Sequence, residues 1–162
     1  MIQAALWLKC YFCHSFIIMM NLRIKSFGCD DIDRFNISRN IREEVFVIEQ
    51  GVDPALEYDG KDVYARHYLV YGNKKPVATA RWRETTEGIK LERFAVLKNY
   101  RNREIGRELL IRMLADVLPL KKQIFLHSHD KAVNFYLRNG FKIKGTEFYE
   151  ADIRHFKMIY KY

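Results

Sequence analysis

Three cysteines in 162 residues are too few for a disulfide framework. No internal repeat, low-complexity tract or linker divides the chain, which argues against a solenoid or a string of modules. No His, Cys, Asp and Glu spacing suits a metal, and no Ser-His-Asp order is visible, so neither a metal centre nor a nucleophilic triad is expected. The net charge is +8, but no nucleic-acid-binding motif accompanies it, and no nucleic-acid partner is expected. An unbroken apolar run of spanning length is also missing. Residues 4–8 and 16–20 are apolar, but Lys9 and His14 interrupt them. Neither a basic leader region nor a small-residue cleavage site is present, so a signal peptide fits poorly. Residues 1–20 read as an apolar extension upstream of a start at Met19 or Met20, and no membrane partner is expected. Within them Cys10-Tyr11-Phe12-Cys13-His14 spells a haem-attachment string. It is set aside because nothing around it resembles a small helical haem protein.

From residue 21 onward the chain alternates two periodicities. Leu22, Ile24 and Phe27 suggest a strand. Asp30 or Asp31 then caps a helix carrying Ile37, Ile41, Val45 and Ile48 on one face, stopped by Gly51 and Pro54. Residues 57–62 read as an acidic turn or loop. Strands follow at 66–71 and 76–84 around a hairpin turn, and a third at 89–96. A helix is expected over 104–118, a strand at 123–128, a short helix over 130–139 closed by Gly140, and strands at 142–149 and 155–161. The order β-α-β-β-β-α-β-α-β-β predicts an α/β (α+β) fold, a mixed sheet with helices packed on it.

Inside strand 89–96 the apolar phase changes. Ile89 and Leu91 hold one phase, Phe94 and Val96 the other. Such a change flips the buried face unless an extra residue enters, so a bulge near Glu92-Arg93 is predicted. A strand buried on both faces gives the same pattern. The strand then feeds Lys98-Asn99-Tyr100-Arg101-Asn102-Arg103-Glu104-Ile105-Gly106-Arg107, a basic loop opening a helix. Free N–H groups at a helix start bind phosphate, and the helix dipole assists.

Arg101-x-x-Glu104-x-Gly106 resembles the acetyl-CoA motif of the GNAT acyltransferases, and Arg93-Phe94-Ala95-Val96 resembles their fourth strand. Ala132 to Phe141 resembles their late A-x-x-(F/L)-Y-x-x-x-G-F segment, and Val45-Phe46-Val47-Ile48-Glu49-Gln50 is similar to a segment of the ElaA-like branch. The resemblance implies a single GNAT domain over 21–162. Its sheet would have six to seven mostly antiparallel strands, splayed between the fourth and fifth. It implies transfer of an acetyl group from acetyl-CoA to an amine. A cytoplasmic protein is expected, and the oligomeric state stays open, with a homodimer one option. Phe94, Ala95 and Val96 would hold the pantetheine arm, Arg101, Asn102, Arg103, Glu104, Ile105, Gly106 and Arg107 the pyrophosphate, and Asn134 the rest of the cofactor. Tyr136 would protonate the leaving thiolate. Glu49 and His155 are candidate bases, and Glu49, Gln50, His67, Arg81 and His155 candidate acceptor contacts. Glu104 departs from the family, which has glycine there. An acyl-CoA-binding or partner-binding module without turnover is the alternative reading.

Overall fold

Alternation of side chains decides which way each strand faces, and here it sorts one sheet into two unlike surfaces. The computed structural model describes residues 20–150 and 152–162; the Cys10 to His14 string and most of the apolar extension lie outside them. The elements are β1 (Leu22–Phe27), α1 (Ile32–Arg42), α2 (Pro54–Glu57), β2 (Ala65–Gly72), β3 (Lys75–Thr85), β4 (Gly88–Val96), α3 (Ile105–Val117), β5 (Ile124–His129), α4 (Val133–Arg138), β6 (Phe141–Glu150) and β7 (Ile153–Tyr160). The expected order holds, with α2 added. The seven strands line up β1-β2-β3-β4-β5-β7-β6. Every neighbouring pair is antiparallel except β4 and β5.

One face is apolar. Tyr68, Val70, Ala78, Ala80, Ile89 and Leu91 point from β2, β3 and β4 into a single core with α3. The α3 stripe of Ile105, Leu109, Met113 and Val117, spaced at helical intervals, is fully buried in it. Each such side chain contributes about 1.5–3 kcal/mol when removed from water.

The opposite face carries α1. Asp31 caps this helix by accepting the Arg34 N–H at 3.2 Å. Phe27, Ile41, Val45, Leu69 and Ala95 make a small core beneath it. The predicted apolar stripe fails at its last member, because Ile48 is 74% exposed. Residues Glu43–Glu49 wind as a π-helix, whose wider i→i+5 turns rotate Ile48 off the face that Val45 occupies. Gly51, at φ +71, ends the run.

The bulge falls one position later than predicted. Glu92 opposes Arg81 and Ala95 opposes Thr79, so Arg93 and Phe94 together face Ala80. Arg93 takes a φ of +57. The extra residue keeps Phe94 and Val96 against the same core as Ile89 and Leu91 and turns Glu92 and Ala95 to the other face. Edge strand β6 is irregular too. Between Ile143 opposite Met158 and Glu147 opposite Phe156, its register slips, with Gly145 at φ +83. No helix among the described residues is long and apolar enough to cross a membrane.

Candidate active site

Strands β4 and β5 pair only at Ile89–Ile124, Lys90–Phe125 and Leu91–Leu126. Beyond Leu91, where the bulge bends β4, the two strands part. A cleft of about 670 Å³ opens there, lined by Val45, Gln50, Phe94, Val96, Tyr100, Arg101, Asn102, Ile105, Gly106, Arg107, Ala132, Phe135 and Tyr136, among others.

The start of α3 borders this cleft. Glu104 precedes it at φ +59, and no side chain caps the first turn. The helix begins one residue later than predicted, and its first N–H groups stay available. Left-handed backbone is where glycine is at home, which explains why a residue with a Cβ is costly at this position. The Glu104 side chain is 75% exposed, with its carboxylate 3.9 Å from the Arg107 guanidinium. It faces solvent beside the first turn, and Glu104 still borders the cleft. Arg103 lies over the Tyr100 ring at 5.7 Å. Lys131 and Arg138 add positive charge along the far wall.

Tyr136 is buried, edge-on to Phe94, Phe135 and Phe141 at 5.0–6.0 Å between ring centres. Burial alone pushes its phenol above its ordinary pKa. Asn134 is exposed and not among the cleft residues; Asn139 on the same turn-and-helix is. Ala95 turns its side chain to the α1 core, leaving only its backbone near the cleft.

Glu49 and Arg101 come together. Both Arg101 terminal nitrogens donate to the carboxylate at 2.6 Å, and its Nε donates to the Val96 carbonyl at 2.9 Å. The end of the π-helix is thereby clamped to the end of β4. The Arg101 hydrogen bond pulls the Glu49 pKa down, which keeps it ionised and weakens it as a base.

His67 and Arg81 sit deep, at 0% exposure, away from the cleft. His67 bonds the Asp62 carbonyl through Nε2 at 3.0 Å, and burial lowers its pKa. Arg81 reaches Asp62 and Asp59 at 2.7 Å and Glu92 at 3.1 Å. Around it, Arg42 bonds Glu57 and Asp62, and Arg83 and Lys90 bond Glu92 at 3.0 and 3.1 Å. Arg93, the bulge residue, donates to the Leu56 and Glu57 carbonyls at 2.9 and 3.2 Å and pairs with Asp59 at 3.2 Å. The acidic segment read as a turn or loop is a structured one, with Glu57 and Asp62 buried, and it is fastened to the bulge. The signal was present as Arg81 inside an apolar strand, an uncommon residue to bury without partners. Burial pushes Glu92 up, but the Arg83 hydrogen bond and the charges of Arg81 and Lys90 prevail, and its pKa falls to about 2. A carboxylate held so firmly makes a poor proton acceptor.

On the same face, beyond α1, β5 and β7 place His129 opposite His155 and His127 opposite Lys157. The His155 ring stacks on Phe148 and meets His129 edge-on at 5.8 Å. Its Nδ1 donates to the Ile153 carbonyl at 2.8 Å, which leaves Nε2 with a lone pair in the neutral ring. His127 bonds Glu150 at 2.9 Å, a pair not foreseen from sequence. Among the described residues no group of His, Cys, Asp and Glu is arranged to hold a metal ion.

The sequence model of the acetyltransferase (GNAT) domain matches residues 38–162. An uncharacterized N-acetyltransferase, YjcF of Bacillus subtilis (strain 168), is 36% identical over 123 residues, covering 74% of this chain and 86% of its own. The chain therefore belongs to the GNAT acetyltransferase family. Its fold is similar to that of Escherichia coli ElaA, with a TM-score of 0.78 at 23% identity, over 86% of this chain and 99% of that one. It is also similar to PaiA N-acetyltransferase from Thermoplasma acidophilum, solved in complex with coenzyme A, with a TM-score of 0.62 at 14% identity over 88% of this chain and 100% of that one.

Proposed function

We propose that this protein transfers an acetyl group from acetyl-CoA to a primary amine of a small molecule or peptide. The observation carrying this reading is the parallel β4–β5 pair that ends at Leu91 and Leu126 and opens into a cleft bordered by an uncapped helix start. Coenzyme A bound to PaiA supports a donor of the acyl-CoA class. The pyrophosphate would meet the α3 amides from Ile105 to Arg107, with Arg103 and Arg107 beside them. The pantetheine arm would run along Phe94, Ala95 and Val96, whose backbone lacks a β5 partner.

The amine nitrogen attacks the thioester carbon, a C–N bond forms, and the C–S bond breaks as the intermediate collapses. Backbone N–H groups at the bulge would receive the transient oxyanion without reorganising. Tyr136 would return a proton to the departing sulfur. Burial keeps that phenol loaded with its proton, and the same dry pocket raises the proton affinity of the thiolate it serves. His155, on β7 beyond the cleft lining, would take the amine proton through Nε2. Glu49 and Gln50 would line the acceptor side, with Glu49 oriented by Arg101. Arg81 and His67 act at a distance, by holding the segment that faces the acceptor.

Acetyl-CoA at a hundred times its Kd should add about 2.7 kcal/mol of stability, seen as a higher melting temperature. Thiol release with a panel of amines then tests turnover. Tyr136→Phe should slow it at least ~100-fold; an unchanged rate at every pH removes Tyr136 from the chemistry. The exposed carboxylate of Glu104 beside the helix start favours a second reading, an acyl-CoA-binding module without turnover. Stabilisation by acetyl-CoA with no thiol release from any amine would select it.

A further inference from the structure

A second concavity, of about 640 Å³, lies at the β1 edge of the sheet, three strands from the cleft at β4. Its volume falls within the roughly 300–1,000 Å³ usual for small-molecule sites. Four cations line it, Arg23, Lys25, Arg34 and Lys74, and among the described residues no carboxylate does. Asp31 pairs with Arg34 from outside the lining.

The placement follows from simple register. Arg23 and Lys25 are two apart on β1 and share a face, the face on which Phe27 meets the α1 core. Tyr71 opposes Arg23 across the β1–β2 ladder and forms part of the wall. Arg34 descends from α1. Lys74 comes from the β2–β3 hairpin, where it and Asn73 both have positive φ, +69 and +51. That is the tight-turn geometry suited to strand twist, but lysine is an unfavoured occupant. Asn21 and Asn73 lock the rim reciprocally, the Asn21 N–H to the Asn73 side-chain oxygen at 3.2 Å and the Asn73 N–H to the Asn21 carbonyl at 3.1 Å.

Exposed lysines usually serve only solubility. These differ in being gathered around a preformed concave wall, which focuses their field. With Arg34 already paired to Asp31, a single negative charge would leave two of the other three cations uncompensated, whereas a short chain of phosphates carries charge enough for all three. A nucleic-acid strand would need an extended groove with several stacking aromatics, and this wall has Tyr71 alone. We propose that this cavity is a second anion site, separate from the cleft between β4 and β5, and that it takes a compact polyphosphate.

The test is calorimetric titration of the full chain with inorganic tripolyphosphate at about 150 mM salt, where diffuse surface attraction is screened. Binding should weaken at least ~10-fold in the double variant Arg23→Ser, Lys25→Ser, and stay unchanged in Arg107→Ser, which alters the other cleft alone. Circular dichroism melting confirms that each variant is folded. Adenosine diphosphate separates two sources of the same chemistry. Loss of its binding in Tyr71→Leu, with tripolyphosphate unaffected, marks a nucleotide; equal behaviour of the two probes marks a bare phosphate chain. No binding at this salt, or loss only in Arg107→Ser, overturns the proposal. So does a single-stranded oligonucleotide that binds more tightly than tripolyphosphate and depends on Arg23 and Lys25.

Discussion

The two faces of the central strands are built from opposite materials. Beneath α3, Tyr68, Ala80, Leu91 and Leu109 meet in an apolar cluster, which a carboxylate touches at its margin, where the Tyr68 hydroxyl donates to Asp116 at 2.8 Å. Beneath α1 and α2, Arg42 and Arg81 are fully buried, with Glu57, Asp62 and Glu92 around them. Apolar packing is nondirectional and tolerates small shifts. Interlocked guanidinium–carboxylate pairs fix distances and angles instead, and desolvation offsets most of their attraction. The α3 face thus supplies stability. The charged face supplies geometry, holding the 53–62 segment to the bulge beside the cleft.

The sharpest way to probe this contrast is Arg81→Ala. It leaves Asp59, Asp62 and Glu92 facing one another, and about 3–5 kcal/mol of stability should vanish, measured by chemical denaturation. On the other face Leu109→Ala should cost about 2–5 kcal/mol, but without changing the response to acid. A native-like melting curve for Arg81→Ala would erase the distinction between the faces. Acid titration separates them next. Asp59 and Glu92 both fall to about 2 in the folded chain, below the roughly 4 of an unfolded carboxylate. Their contribution is complete above the unfolded value and should drain away as pH falls from about 5 to about 2. Removing Glu92 as Glu92→Gln should flatten that slope in a plot of melting temperature against pH. The smallest effect belongs to the cleft mouth, which neither face governs. Glu104→Gly should relieve left-handed strain and raise stability by no more than about 1 kcal/mol, while tightening coenzyme A binding. Weaker binding would show that the carboxylate helps.

Much of this was readable in advance because strands and helices announce themselves by period. The phase change between Leu91 and Phe94 located the bulge to within a residue, since only an inserted residue could keep both halves facing one core. The basic loop before α3 and the Tyr136 segment stood in linear order with recognisable spacing. What stayed hidden depends on partners far along the chain. Glu57, Asp59 and Asp62 look like a solvated turn until Arg42, Arg81 and Arg93 arrive from three other elements. The outward swing of Ile48 depends on a π-helix, whose local composition matches that of an ordinary helix. The left-handed backbone of Glu104 was marked only by the glycine that the resemblance leads one to expect there.

Strand β6 closes the sheet on its far side, and its slip at Gly145 has a bearing on how copies of the molecule can meet. An outermost strand is a template for unwanted neighbours unless something spoils it. Here matched backbone spacing is broken a few residues in, and Lys142, Lys144 and Glu147 flank the break. A continuous sheet running from one copy into the next is therefore disfavoured along this border, which leaves β1 as the regular edge of the sheet.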